Sequence, residues 1–307
     1  MMGTKQFSIQ LKQKMQDLGF SSVGFAKAEA LTEDLAFFKT WMAKGFHAGK
    51  AYLERNPELR ANPILMMPET KSVISGLISY YTAETLPESQ YYKISRYAYG
   101  KDYHTVINAK LKQVVDYIAE QTSNKNTRAF VDSSPIFEKA WAKHAGLGWI
   151  GKNTLLLNQT TGSFHFIGTI ITDIELEYNA PQAEKCGSCT KCLDACPTQA
   201  LSPYEIDVRK CITHLLEQKN EIPAELKSKL NNYIYACDIC QEACPWNQDL
   251  QPTTVADFQI SSSLLQMKKE DWEQLTEEKF TELFQNSAIE RIKYAGLKRN
   301  IDFVRED

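Results

Sequence analysis

No run of apolar residues in this 307-residue chain approaches the length of a membrane span. The opening MMGTKQFSIQLKQKMQDLGF has the look of an amphipathic helix, with neither an apolar h-region nor a twin-arginine pair, so a cytoplasmic location is expected and a membrane partner is not. There is no surplus of positive charge. Against 38 Asp+Glu stand 35 Lys+Arg, a net charge of −3, so bulk electrostatics announces no nucleic-acid partner and DNA is not expected. A nucleic acid would have to be held by a local basic surface. No G-x-G-x-x-G stands after a strand-like run and there is no P-loop, so neither dinucleotide nor nucleoside triphosphate binding is indicated. Low-complexity linkers are also missing, and histidine is scarce, with five in all.

Cysteine is the exception, because all eight lie between Cys186 and Cys244. The first four read Cys186-x2-Cys189-x2-Cys192-x3-Cys196-Pro197, the bacterial-ferredoxin run for cubane iron–sulfur clusters. The second set reads Cys237-x2-Cys240-x3-Cys244-Pro245 and lacks its leading cysteine, since Ile234 stands there; Cys211 is the obvious substitute. In two-cluster ferredoxins the cysteine before each proline serves the other cluster. That rule assigns Cys186, Cys189, Cys192 and Cys244 to one 4Fe–4S cluster and Cys196, Cys211, Cys237 and Cys240 to its partner. Structural zinc usually takes paired knuckles separated by a longer loop, and disulfide frameworks suit small secreted domains. Neither matches three cysteines at successive two-residue gaps in a chain of this size.

The order of elements divides the chain into three. Residues 1–178 read as α/β: a helical period over 7–18, β-rich KSVISGLISYY at 71–81, and a helix over 103–119 with Val106, Ile107, Leu111, Val114, Val115 and Ile118 on one face. A strand over 127–131 is expected to lead into a helix opened by Ser134 as cap and Pro135 at its first position. Runs 154–157 and 164–174 suggest a hairpin around QTTGS. The cysteine module covers 179–252, and 253–307 reads as a helical segment, acidic over 270–282 and then basic. Two clusters only store electrons and pass them singly, so an acceptor site is expected in the long segment upstream. Spacing alone does not name the acceptor.

Longer stretches do. FHAGKAYLERNPELRANPILMMPETKSVI (46–74), SRYAYGKDYH (95–104), VDSSPIFEKAWAKHAGLGWIGKNTLLLNQTTGSFHFIGTI (131–170), both cysteine runs, CDICQEACPWN (237–247) and LKRN (297–300) resemble the epoxyqueuosine reductases over essentially the whole chain. The resemblance implies an α/β cobalamin-binding domain, a ferredoxin-like module with two 4Fe–4S clusters, and a short α-helical segment where longer members carry a helical-repeat domain. It implies reduction of an epoxide on the cyclopentane ring of a tRNA wobble nucleoside to the alkene and water, taking two electrons and two protons. It is the last step of queuosine formation, with tRNA bound through its anticodon loop and an external low-potential electron donor. The clusters would feed cobalt to the Co(I) state.

By the same resemblance Asp132 is the proton donor. At the end of an apolar strand it would project into the ligand crevice of an α/β sheet, and desolvation beside a corrin face would raise its pKa; the competing reading makes it a helix cap. Arg55, Asp132, the 154–157 strand with Leu156, Ile167 and Thr213 are expected around the corrin, with Asp238 facing it from between two ligand cysteines. Asp102-x-His104 opens like a cobalt-histidine signature, but Ile107 replaces the glycine, so cobalamin is expected base-off without a histidine ligand. Lys152, Arg291, Lys293, Lys298 and Arg299 are the expected tRNA contacts, where the competing reading is a solvated helix face. Two other functions fit the same parts: a corrinoid reductive dehalogenase, and a non-enzymatic iron–sulfur electron carrier.

Overall fold

A computed structural model describes residues 3–122 and 126–305. Its central sheet has four strands in the order Ser22–Lys27, Ser72–Ser79, His165–Thr172, Thr127–Phe130, and every neighbouring pair is antiparallel. The mixed helix and sheet content is as expected, but a site at the carboxyl ends of parallel strands is not available to it. Ser72–Ser79 is buried on both faces, and its alternate side chains serve two cores. Ile74 and Ile78 pack with Leu11 and Met15 of the helix Thr4–Asp17 and with Ile107, Leu111 and Val114 of the helix Tyr103–Thr122. Val73 and Leu77 meet Trp141 and Ala142 of the helix Glu138–His144 on the other face. Gly24 lets that last helix sit close: a Cβ there would lie 2.0 Å from the Ala145 carbonyl oxygen.

Two expected elements form differently. The helix begins at Glu138 rather than after Ser134, and Phe137 precedes it without a side-chain cap. Residues Val131 to Pro135 stay irregular, with Asp132 in the left-handed region at φ 54. The hairpin around QTTGS does not form either. Leu156–Leu157 pairs with Trp149–Ile150, while His165–Thr172 pairs with the two sheet strands beside it. The intervening turn is tied to the cysteine module instead, since Ser163 N–H donates to Asn247 Oδ1 at 2.7 Å. The run Gly146 to Gly151 does have dinucleotide-fingerprint spacing, yet it leaves a helix and enters a strand, the reverse of the order that motif needs. Its Gly148 permits close packing, because a Cβ would lie 2.0 Å from Leu157 O.

A third core joins segments far apart in sequence. Tyr92, Ile94 and Ala98 pack with Leu216, Tyr235, Trp272, Leu297 and Ile301. A boundary at 252 therefore falls inside a shared core, and 262–304 is built onto the cysteine module. Among the described residues no helix is long and apolar enough to cross a membrane.

Candidate active site and cluster-binding module

The cysteine module folds the same turn twice. Short helices Lys191–Asp194 and Ile239–Glu242 each begin two residues after a cysteine and carry the next at their second position. After each, the pre-proline cysteine donates its N–H back three residues: Cys196 to Leu193 O at 3.2 Å and Cys244 to Gln241 O at 3.0 Å. The repeat brings the eight thiols into two groups of four. Cys192 is pushed up to about 11 by desolvation and then by Cys244, Cys186 and Cys189. Cys240 is raised well above the usual thiol range by desolvation, then by Cys237, Cys211 and, beyond Asp238, Cys196. Cys196, Cys211, Cys237 and Cys240 line one cavity of about 270 Å³, far more than a single ion fills. Cys211 enters from the start of the helix Ile212–Glu217, where the backbone N–H groups of Thr213 and His214 act against the desolvation that raises it. Ile234, in the vacant motif position, is fully buried in the third core.

A larger cavity, about 670 Å³, opens beside this module. Phe38, Trp41, Tyr52 and Trp149 make much of its wall aromatic, and Arg60, Asp132, Glu138 and Lys139 put charge into it. Thr154 and Ile206 line both cavities, so the thiol group containing Cys211 and the larger space share a wall. Arg60 Nε is buried without a hydrogen-bond partner, which leaves a donor at this wall for a ligand rich in acceptors, while the Trp149 indole is turned to Cys186.

Asp132 stands in that wall as the centre of a side-chain network, and its carboxylate caps no helix. Tyr103 Oη donates to Oδ2 at 2.9 Å, and His104 Nε2 lies 3.5 Å from the same oxygen. His104 Nδ1 is 2.7 Å from Asp102 Oδ1, and Arg291 lies against the ring, its guanidinium 2.6 Å from Nδ1. Among the protein's own groups, the His104 hydrogen bond lowers the Asp132 pKa against the opposing desolvation, and Tyr103 adds to the lowering. Desolvation alone would lower His104, but hydrogen bonds to Asp132 and Asp102 outweigh it and raise its pKa. Glu138 is the carboxyl that behaves as expected of Asp132. Burial pushes it up to about 8, and its Oε1 accepts the Asp132 N–H at 3.0 Å.

Other expected residues are dispersed. Leu156 is buried in the core against the helix Glu138–His144, and Ile167 packs on that same core. Thr213 lines the smaller cavity rather than the larger. Arg55 is exposed and lines neither. Asp238 faces away: its buried carboxylate accepts from Ser95 Oγ at 2.6 Å, Arg96 N–H at 2.7 Å and Gln241 Nε2 at 3.0 Å, which anchors the cysteine loop to the 95–96 segment. Lys152 donates to the carbonyls of Gly187 and Cys189 at 2.6 and 2.9 Å, gripping the first cysteine loop. Lys298 and Arg299 do not form a free basic edge. Lys298 bonds Glu273 O and Asp302, and Arg299 bonds the carbonyls of Leu216, Gln218 and Asn220. Arg291 joins the Asp132 network, and Lys293 is exposed. Sequence reasoning did not single out Tyr103, Arg60 or Glu138. Tyr103 and Glu138 adjoin residues that were noted, but no local pattern separates them from ordinary helix starts.

Paired thiol groups sharing a wall with a cavity of ionisable side chains define an iron–sulfur oxidoreductase. Residues 60–133 match the family described as epoxyqueuosine reductase QueG, DUF1730, and residues 185–247 match the 4Fe-4S double cluster binding domain. The epoxyqueuosine reductase of Cellulophaga algicola is 45% identical over 307 residues, covering 99% of this chain and 100% of that one. A crystal structure of epoxyqueuosine reductase with an epoxyqueuosine-modified tRNA-Tyr stem loop superposes with a TM-score of 0.88 at 26% identity, covering 97% of this chain and 80% of that one. A Bacillus subtilis epoxyqueuosine reductase, solved with its catalytic aspartate loop swung out of the active site, gives 0.87 at 25% identity, covering 97% and 81%. The chain belongs to the epoxyqueuosine reductase family.

Proposed function

We propose that this chain reduces epoxyqueuosine to queuosine at the wobble position of tRNA, the last step of queuosine formation, with cobalamin in the larger cavity and two 4Fe–4S clusters on the thiol groups. The single observation that carries the reading is the shared wall: Thr154 and Ile206 separate the larger cavity from the space between Cys196, Cys211, Cys237 and Cys240, with Asp132 on the larger cavity's lining. Cys186, Cys189, Cys192 and Cys244 would hold the other cluster, and an external low-potential donor would reduce the pair. Bound cobalamin would supply a strongly reducing cobalt centre, recharged one electron at a time by the clusters.

The volume, the aromatic lining and the unpartnered Arg60 Nε suit a large apolar ring edged with amides. Base-off binding without a histidine ligand is supported by the lining of the larger cavity, among whose described residues no histidine stands. His47, His104, His144 and His165 are engaged with Glu54, Asp102 and Asp132, Asp34 and Thr161, respectively, and His214 lies on the helix Ile212–Glu217. Asp132 is the proton-delivering residue of this reading. Its carboxyl is shifted down and faces His104, whose own pKa is shifted up, so a proton can pass between the two, and Tyr103 donates to the carboxylate from the other side. The left-handed backbone at Asp132, whose main-chain N–H is held only by Glu138 among the described residues, suits a loop able to swing once Tyr103 and His104 release the carboxylate, as its Bacillus subtilis relative does. Arg291, half exposed beside this network, and the exposed Lys293 are the expected basic side chains this reading still offers to the anticodon loop.

Incubation of the anaerobically reconstituted protein with cobalamin, a strong reductant and tRNA from cells lacking the activity should yield queuosine on nucleoside analysis. Halide release from an organohalide without queuosine would support the dehalogenase reading. Neither product would leave an electron carrier.

A further inference from the structure

Epoxide reduction consumes two protons, and the Asp132–His104 pair carries one. We propose that Glu138 is the second proton donor of this site, delivering to the oxygen that leaves the substrate, and that its carboxyl also holds Asp132 in the working position. The inference rests on the reading of the chain as an epoxyqueuosine reductase. In that reaction both ring C–O bonds break, a C=C bond forms, two electrons arrive from the reduced cofactor, and two O–H bonds form on the departing oxygen. The Asp132–His104 pair accounts for one of those protons. The other needs a group that faces the same space, is protonated near neutral pH and is not locked in an ion pair.

Glu138 meets each condition. It lines the cavity together with Asp132. Its Oε1 accepts the Asp132 N–H at 3.0 Å, and among the described residues its carboxyl makes no other hydrogen bond, so the second oxygen can present an O–H to the cavity. Lys139 is turned aside, its ammonium donating to Thr154 O at 2.8 Å. Burial raises Glu138 to about 8; the charge of Asp132 adds to this, while the Asp132 N–H and Lys139 act against it. Asp34, Arg60 and Lys143 line the same cavity. Two carboxyls one hydrogen bond apart are thus driven to opposite protonation states, the arrangement by which a site separates two acid–base roles.

Glu138→Gln separates proton donation from tethering, because the amide keeps a carbonyl to accept the Asp132 N–H and loses the acidic proton. In reconstituted holoenzyme its turnover should fall about 10²-fold, the lower end of general acid catalysis, with cluster content, cobalamin content and tRNA affinity unchanged. Glu138→Asp should recover part of the loss. The wild-type rate should decline through about pH 8 as Glu138 ionises, and that limb should vanish in the Gln variant. Independently of turnover, infrared difference spectra of the protein without substrate should show a protonated-carboxyl band titrating near pH 8, absent in Glu138→Gln. A Gln variant within about threefold of wild type, or no such band, would overturn the proposal. Failure of the wild type to make queuosine would instead sink the functional reading, while the infrared titration would still report on Glu138.

Discussion

The cysteine module and the wall around Asp132 are neighbours built on opposite principles. In the module, seven of the eight thiols sit within four residues of another cysteine, and two short helices repeat one turn. In the wall, Asp102, Tyr103, His104, Asp132, Glu138 and Arg291 converge from distant segments. Local spacing constrains a cluster ligand because adjacent thiolates must grip one small body. A proton-transfer site needs only that carboxyls, a phenol and an imidazole meet, and many chain paths achieve that.

Breaking the module should have the largest effect. Cys211→Ser should abolish turnover and lower iron from about eight atoms to about four, with the other cluster still visible by EPR; retention of both clusters would contradict the grouping of thiols. Breaking the wall should be severe but selective. Asp132→Asn should slow epoxide loss by about 10²- to 10⁴-fold with cofactor content intact, and near-normal turnover would reduce Asp132 to a loop residue.

Three further changes test which charges are structural. Arg299→Ala removes a charged donor from three carbonyls and should destabilise the fold by about 2 kcal/mol in denaturant titrations. An unchanged midpoint would return Arg299 to the surface. Glu138 should tie stability to pH. Below its usual 4.5 both folded and unfolded chains hold the proton. Between there and about 8 only the native chain does, so stability falls as pH rises through that window. Glu138→Gln should flatten the slope. The smallest effect is expected at the exposed Lys293, where Glu should weaken tRNA binding a few-fold and reduce the salt slope by about one, leaving stability alone.

Cluster spacing, the meeting of Cys211 with Cys196, Cys237 and Cys240 at one cavity and the amphipathic helix carrying Val106, Ile107 and Leu111 were all legible in the linear chain. They depend on ligand geometry and helical period, which act between near neighbours. The expected hairpin at QTTGS failed because its turn is claimed by Asn247. The basic run near 298 failed as a surface because its side chains are spent on carbonyls from 216 to 220 and at Glu273. The sequence offered Asp132 but not the groups that set its charge. An aspartate facing Tyr103 and His104 is shifted down, while a half-buried glutamate six residues on, with one amide donor, is shifted up. Charge state depends on desolvation and on partners brought in by folding, and neither is encoded in the residues that flank the group.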